Sequence, residues 1–148
     1  LDLGYNKFGD ETGVALAAAL TTNTSLHSLK LGYINSGDAS GIALGKAFAT
    51  NTTLRILDLW NNNLGEESGV ALVKGLAQNS TLTKLDVGDN YAISPATRAK
   101  IKFALSPELK GFLNNPSVSP SQIPVCVVGF DNVGKTELVN TWHRTTAH

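Results

Sequence analysis

The chain contains no methionine and a single cysteine, Cys126. One cysteine excludes an internal disulfide, so the expected setting is a reducing, cytoplasmic one. No charge of either sign is in surplus: twelve basic residues stand against twelve acidic ones. A bulk-charge attraction to nucleic acid is therefore not expected. No apolar run approaches the roughly 18–20 residues that a membrane span requires, so no membrane span is expected. Aromatic residues make up only 7% of the chain. The histidines His27, His143 and His148 do not form a metal-ligand spacing. Neither a catalytic triad nor a pair of acid–base carboxylates can be read. The absence of an initiating methionine points to a piece of a longer protein, and a first repeat without an upstream neighbour or cap leads to the expectation of further repeats before Leu1.

What is present is a repeat. Leu1, Leu29, Leu57 and Leu85 stand 28 residues apart, and Leu3, Leu31, Leu59 and Val87 keep the same step. Leu26, Leu54 and Leu82 do likewise, and Asn6, Asn62 and Asn90 share a position at which Ile34 is the exception, with Asn35 beside it. Around each Leu-x-Leu the apolar residues alternate, the period of a half-buried strand. About twelve residues later the period changes. Gly13, Leu16, Ala17 and Leu20 form one helical stripe, repeated by Gly41, Leu44, Gly45 and Phe48 and by Gly69, Leu72, Val73 and Leu76. Acids open each helix, at Asp10 and Glu11, Asp38, and Glu66 and Glu67, where the macrodipole favours them. The asparagine between strand and helix is expected to bond backbone groups of the turn.

This period, with lines such as Leu57-Asp58-Leu59-Trp60-Asn61-Asn62-Asn63-Leu64-Gly65, resembles the leucine-rich repeat of the ribonuclease-inhibitor-like type. The expected fold class is α/β, a curved leucine-rich-repeat solenoid with one strand and one helix per unit. Three full repeats and a terminal cap would occupy residues 1–105. Strands stack about 4.8 Å apart and helices about 10 Å apart, so the strands must take the inner, concave side. Ser94-Pro95 begins a terminal helix whose apolar face includes Ile101 and Leu105.

The inner face is the expected platform for a protein partner. Its outward residues include Lys30, Ile56, Asp58, Trp60 and Lys84. Trp60 has Gly32 and Gly88 as lateral neighbours, leaving it unshielded. It is either a binding hot spot or an indole lying flat over those glycines. Lys30, Asp58 and Lys84 alternate in sign across neighbouring strands, which reads as a solvated ladder of cross-strand pairs. Asn23-Thr24-Ser25, Asn51-Thr52-Thr53 and Asn79-Ser80-Thr81 fit the glycosylation pattern, but recur at one repeat position and read as repeat chemistry.

Prolines and serines over 106–122 mark a linker, within which Leu109, Phe112 and Leu113 are candidates to pack on the last repeat. An apolar run, Ile123-Pro124-Val125-Cys126-Val127-Val128, precedes Gly129-Phe130-Asp131-Asn132-Val133-Gly134-Lys135-Thr136. That string matches the Walker A pattern at every fixed position. Such a loop aims backbone N–H groups at a polyphosphate. Gly129, Asp131, Asn132, Val133 and Gly134 would form the cradle, Lys135 would reach the β- and γ-phosphates, and Thr136 would ligate Mg²⁺. The string resembles the loop of Ras-like GTPases, and repeats followed by such a loop resemble the order in Roco-type proteins. The resemblance implies GTP with Mg²⁺ as cofactors of a complete domain. An ATP-type loop or an inert one, leaving only an interaction scaffold, is the alternative. Residues 123–148, about 26 in number, are too few to bury a core and are not expected to be catalytic.

Overall fold

The computed structural model describes residues 1–106. The linker, the expected nucleotide-binding segment 123–148 and its phosphate loop lie outside the described residues. Strands and helices alternate along the described chain. α1 (Gly9–Thr22) is followed by β1 (Ser28–Lys30), α2 (Asp38–Thr50), β2 (Ile56–Asp58), α3 (Glu66–Gln78), β3 (Lys84–Asp86) and α4 (Pro95–Ala104).

The three strands form one parallel sheet in the order β1-β2-β3. Leu29, Leu57 and Leu85 lie side by side in the register. Asp2 adds an isolated parallel bridge to Lys30, extending the ladder towards the chain start. Each strand turns one leucine inward and two flanking residues outward, because side chains alternate across a pleated strand. The inward leucines meet the helical stripes in one core that runs the length of the stack, including Leu31, Ile34, Leu44, Phe48, Leu59 and Leu72.

α2 and α3 approach closely because glycine faces glycine. A β-carbon on Gly75 would stand 2.1 Å from the Gly45 carbonyl oxygen, and one on Gly45 would stand 2.5 Å from that of Ala71. No side chain fits there.

Two asparagine ladders close the turns at the two ends of the helices. At the strand-to-helix turn, the buried Asn62 amide donates to the carbonyls of Leu31 (2.8 Å) and Leu59 (3.1 Å). Its oxygen accepts from the amides of Ile34 and Ser36, both at 3.1 Å. Asn90 repeats this one rung on, donating to Leu59 and Val87 and accepting from Asn62 and Leu64. The asparagine is thus a bridge between repeats as well as a clasp within one turn. At Ile34 the ladder has a gap. Asn35 does not fill it, because it is exposed and accepts a bond from Asn63 instead.

The second ladder runs through the glycosylation-like positions. The Asn51 amide donates to the carbonyls of Leu20 and Asn23, and its oxygen accepts from the amides of Thr53 and Leu54. Asn79 repeats the set with Phe48, Asn51, Thr81 and Leu82. Asn51 and Asn79 are buried. Their amide nitrogens are occupied by backbone carbonyls, so in the folded repeat they are structural, as the repeat position implied.

The acids at the helix starts serve the following helix. The N-cap residues before α2 and α3 are Gly37 and Gly65, which carry no capping side chain. Asp10 of α1 supplies the missing acceptor, taking bonds from the Gly37 amide (2.8 Å), the Ser40 amide (3.0 Å) and the Ser40 hydroxyl (2.7 Å). Asp38 of α2 takes the Gly65 and Ser68 amides and the Ser68 hydroxyl. Glu66 of α3 takes the Ser94 amide and hydroxyl and the Thr97 hydroxyl. The starts of α2 and α3 therefore gain their N-cap acceptor from the preceding repeat, while α4 is capped by its own Ser94 hydroxyl, which accepts the Thr97 amide and is held by Glu66.

α4 ends the described stack through Arg98. Its guanidinium donates to the carbonyls of Val87 (2.8 Å), Asn90 and Ile93. The Val87 carbonyl is the counterpart of Leu31 and Leu59, which the asparagines of the next repeats serve. Arg98 takes the place of that asparagine.

Candidate functional site

The sheet face turned away from the helices carries the candidate site. Strand positions 28, 30, 56, 58, 84 and 86 point outward on it. Ile56 is 38% exposed there, a large apolar residue left open. The sign-alternating ladder expected of Lys30, Asp58 and Lys84 does not form. Among the described residues the ion pair is Lys30–Asp2, at 3.2 Å between half-exposed side chains. Asp58 accepts a bond from the Trp60 amide (2.9 Å) instead, and Asp86 accepts one from the Gly88 amide (2.9 Å). Both fasten the chain as it leaves the strand, a short local geometry that competes with a longer reach to lysine.

At that exit the backbone bends sharply. Tyr5, Tyr33, Asn61 and Asp89, one per repeat, all have positive φ, at 59°, 57°, 47° and 52°. Asparagine and aspartate tolerate this left-handed region, and a bulky residue there is an outlier. Tyr5 and Tyr33 are nevertheless 77% and 54% exposed. Their rings meet at 5.5 Å between centroids, tilted by 34°. Tyr5 also meets Trp60, at 6.5 Å and 48°. Three non-parallel rings from three successive repeats thus form one aromatic cluster beside the strand ends.

Trp60 is half-buried within this cluster, so it is not the unshielded indole expected from its glycine neighbours. It does lean over one of them. A β-carbon on Gly88 would stand 2.9 Å from Trp60 Cδ1 and 3.6 Å from Nε1. Glycine at 88 makes room for the indole. Tyr5 and Tyr33 were not singled out from the sequence. The available signal was the column itself: tyrosine stands where the next two repeats place asparagine and aspartate.

Of the remaining expected site residues, Gly129, Asp131, Asn132, Val133, Gly134, Lys135 and Thr136 lie outside the described residues. Among the described residues there is no group of three or more His, Cys, Asp or Glu side chains placed to hold a metal ion. No helix among them is long and apolar enough to cross a membrane.

The three carboxylates that join successive helices, Asp10, Asp38 and Glu66, are held below their ordinary range by hydrogen bonds. For Asp10 burial pushes the pKa up, but the Ser40 hydroxyl and the amides of Ser40 and Gly37 outweigh it. The Ser68 hydroxyl is the main cause for Asp38, and the Thr97 hydroxyl for Glu66. These groups fasten repeat to repeat and are not poised for proton transfer at neutral pH.

A family model described as Leucine Rich repeat matches residues 1–17, 50–73 and 78–95. The matched stretches carry the leucine-rich repeat, and the segment between the first two keeps the same 28-residue step. No curated protein matches the chain. Among solved structures, that of "Leiomodin-1 Actin-Binding Site 2 (ABS2)" is similar at a TM-score of 0.62 and 19% identity, covering 97% of this chain and 81% of that one. This likeness concerns the fold. A tropomodulin C-terminal domain from Caenorhabditis elegans overlaps at a TM-score of 0.45 and 14% identity, covering 70% of this chain and 81% of that one.

Proposed function

We propose that the repeat array is a protein-interaction platform, and that its contact surface is the sheet face around Tyr5, Tyr33 and Trp60. One observation carries this reading. Two tyrosines occupy left-handed backbone that the fold serves with asparagine and aspartate in the neighbouring repeats. Such a residue costs about 1–3 kcal/mol where it stands. The rings thereby held out are largely exposed and gain little from the core. Exposed tyrosine and tryptophan clusters are the residue types that dominate binding energy at interfaces.

The test is the affinity of a purified partner for three variants. Actin is the first probe, because the leiomodin structure of similar fold is an actin-binding site. For any partner that binds, Trp60→Ala and Tyr33→Ala are expected to weaken binding by about tenfold or more, equal to about 1.4 kcal/mol. Lys74→Ala, on the exposed helix side, is expected to leave it unchanged. Equal affinities for all three would place the contact elsewhere.

A second reading is supported by the string Gly129–Thr136, which matches the Walker A pattern. We propose that, where the nucleotide domain is complete, this loop binds guanine nucleotide, with Lys135 on the phosphates and Thr136 on Mg²⁺. The array would then present a partner to a nucleotide switch, the arrangement resembling Roco-type proteins. Binding of a fluorescent GTP analogue that is abolished by Lys135→Ala and competed by GTP over ATP is the expected result. Competition by ATP alone would make the loop an ATP site, and no binding at all would leave the platform as the whole function.

A further inference from the structure

The first repeat leaves one side of the stack unfinished. Its core leucines are open where their counterparts are closed. Leu1 is 58% exposed, whereas Leu29 and Leu57 are 0% exposed. Leu3, Leu16 and Leu26 are half-buried, whereas Leu31, Leu44 and Leu54 are buried.

Hydrogen-bonding groups are offset in the same way. The Lys30 amide donates to the Leu1 carbonyl, and the Lys30 carbonyl accepts from the Leu3 amide. One repeat back, the amide and carbonyl of Asp2 have no such partners among the described residues. The Asn23 side-chain oxygen accepts the Ser25 and Leu26 amides, repeating the turn that Asn51 and Asn79 make. The amide nitrogens of Asn51 and Asn79 also reach two carbonyls of the repeat before them. That of Asn23 donates to nothing among the described residues. Thr12 stands where Ser40 and Ser68 give their hydroxyls to an acid of the previous helix. Its own hydroxyl turns back to the Phe8 carbonyl, at 3.3 Å.

We infer that this side of the stack is a docking surface for a further repeat of the same 28-residue class, one with an acid at the start of its helix. The interface is continuous with those between the repeats described above, and each open group is the half of it that the first repeat contributes. The occupant supplies a strand beside Asp2, two backbone carbonyls for Asn23 and a carboxylate for Thr12, and its apolar side chains close over Leu1 and Leu3. A second copy of this chain lacks that chemistry. Joined through the same face, the two copies would set donor against donor. Joined head to tail, the incoming copy would bring Ser94 to the position that Asp10, Asp38 and Glu66 hold, leaving Thr12 without a carboxylate. The surface lies at the end of the sheet and does not depend on the platform reading.

The test extends the full chain at its start with a copy of residues 29–56, which keeps the 28-residue step. The copied Asp38 falls 28 residues before Asp10, and the copied Phe48 and Asn51 fall 28 residues before Leu20 and Asn23. Docking of the copy is expected to add helical circular dichroism and to raise the urea midpoint by about 1 M. Hydrogen exchange of the Asn23 side-chain amide, followed by NMR, is expected to slow by about tenfold. Asp38→Ala in the copy and Thr12→Ala are expected to be coupled, so that together they lower the midpoint by less than the two separate losses added. The inference is overturned if the copy adds no helix, if Asn23 exchanges at an unchanged rate, or if the two substitutions are additive. Protection of Asn23 in the unextended chain that grows with protein concentration would make a second copy the occupant and overturn it as well.

Discussion

Replacing Asn62 with alanine is the sharpest perturbation of the stack. Its side chain is 6% exposed and joins two repeats through five backbone groups. Truncation leaves the Ile34 and Ser36 amides and the Leu31, Leu59 and Trp60 carbonyls without this partner. A buried backbone group left unsatisfied costs about 1–3 kcal/mol. Two stranded amides alone give about 2–6 kcal/mol, and a loss of about 4 kcal/mol is the central expectation. That is a large part of the roughly 5–15 kcal/mol available to a small domain. Equilibrium unfolding in urea followed by circular dichroism measures it. The control is Asn63→Ala in the same turn, where the side chain is exposed and bonds only to exposed Asn35. A surface change of that kind stays within about 0.5 kcal/mol. A loss below about 1 kcal/mol for Asn62→Ala, or equal losses for the two variants, would refute the ladder as the main clasp between repeats.

Three further outcomes follow from the same geometry. Gly75→Ala places a methyl group against the Gly45 carbonyl, so the helices must part. Overpacking of about 1–3 kcal/mol exceeds the roughly 1 kcal/mol gained in helix propensity, and a lowered urea midpoint is expected. Tyr33→Asn puts a tolerant residue at φ 57° and is expected to raise stability by up to about 1 kcal/mol while weakening partner binding, a split that stability and affinity measurements on one variant reveal. Acid weakens the stack in a defined direction. Asp10, Asp38 and Glu66 have depressed pKa values in the fold, so their contribution is full above the ordinary carboxylate values of 3.8 and 4.5. It is lost as pH falls below them through the folded values. In Asp38→Asn the pH dependence of the urea midpoint is expected to flatten below about pH 4.5.

Much of this was legible in the repeat. The 28-residue step set Leu29, Leu57 and Leu85 side by side, as the sheet register has them. The helical stripes through Leu44, Phe48, Leu72 and Leu76 marked the buried faces. The turn role of Asn62 was also visible. Its reach into the neighbouring repeat was not, because a periodic sequence does not say whether a bond stays within a unit or crosses to the next. The same ambiguity hid the capping by Asp10 and Asp38, since an acid at a helix start is favoured by that helix's own dipole whatever it bonds. The glycines at 37 and 65, which lack a capping oxygen, were the clue. For Asp58 the lysines one strand away suggested an ion pair, yet the amide two residues along the chain is nearer. Tyr5 and Tyr33 escaped because nothing in a tyrosine announces positive φ. Asn61 and Asp89 in the same column would have.

The central claim, that the sheet face is the contact surface, is tested most directly by site-specific photo-crosslinking. A photoreactive side chain is placed at Ile56, open on the sheet face, and in a second variant at Lys74, exposed on α3. With a bound partner, the platform account predicts crosslinks from position 56 and none from position 74, with the yield at 56 falling when Trp60 is also changed to alanine. Crosslinks from position 74 alone would contradict it.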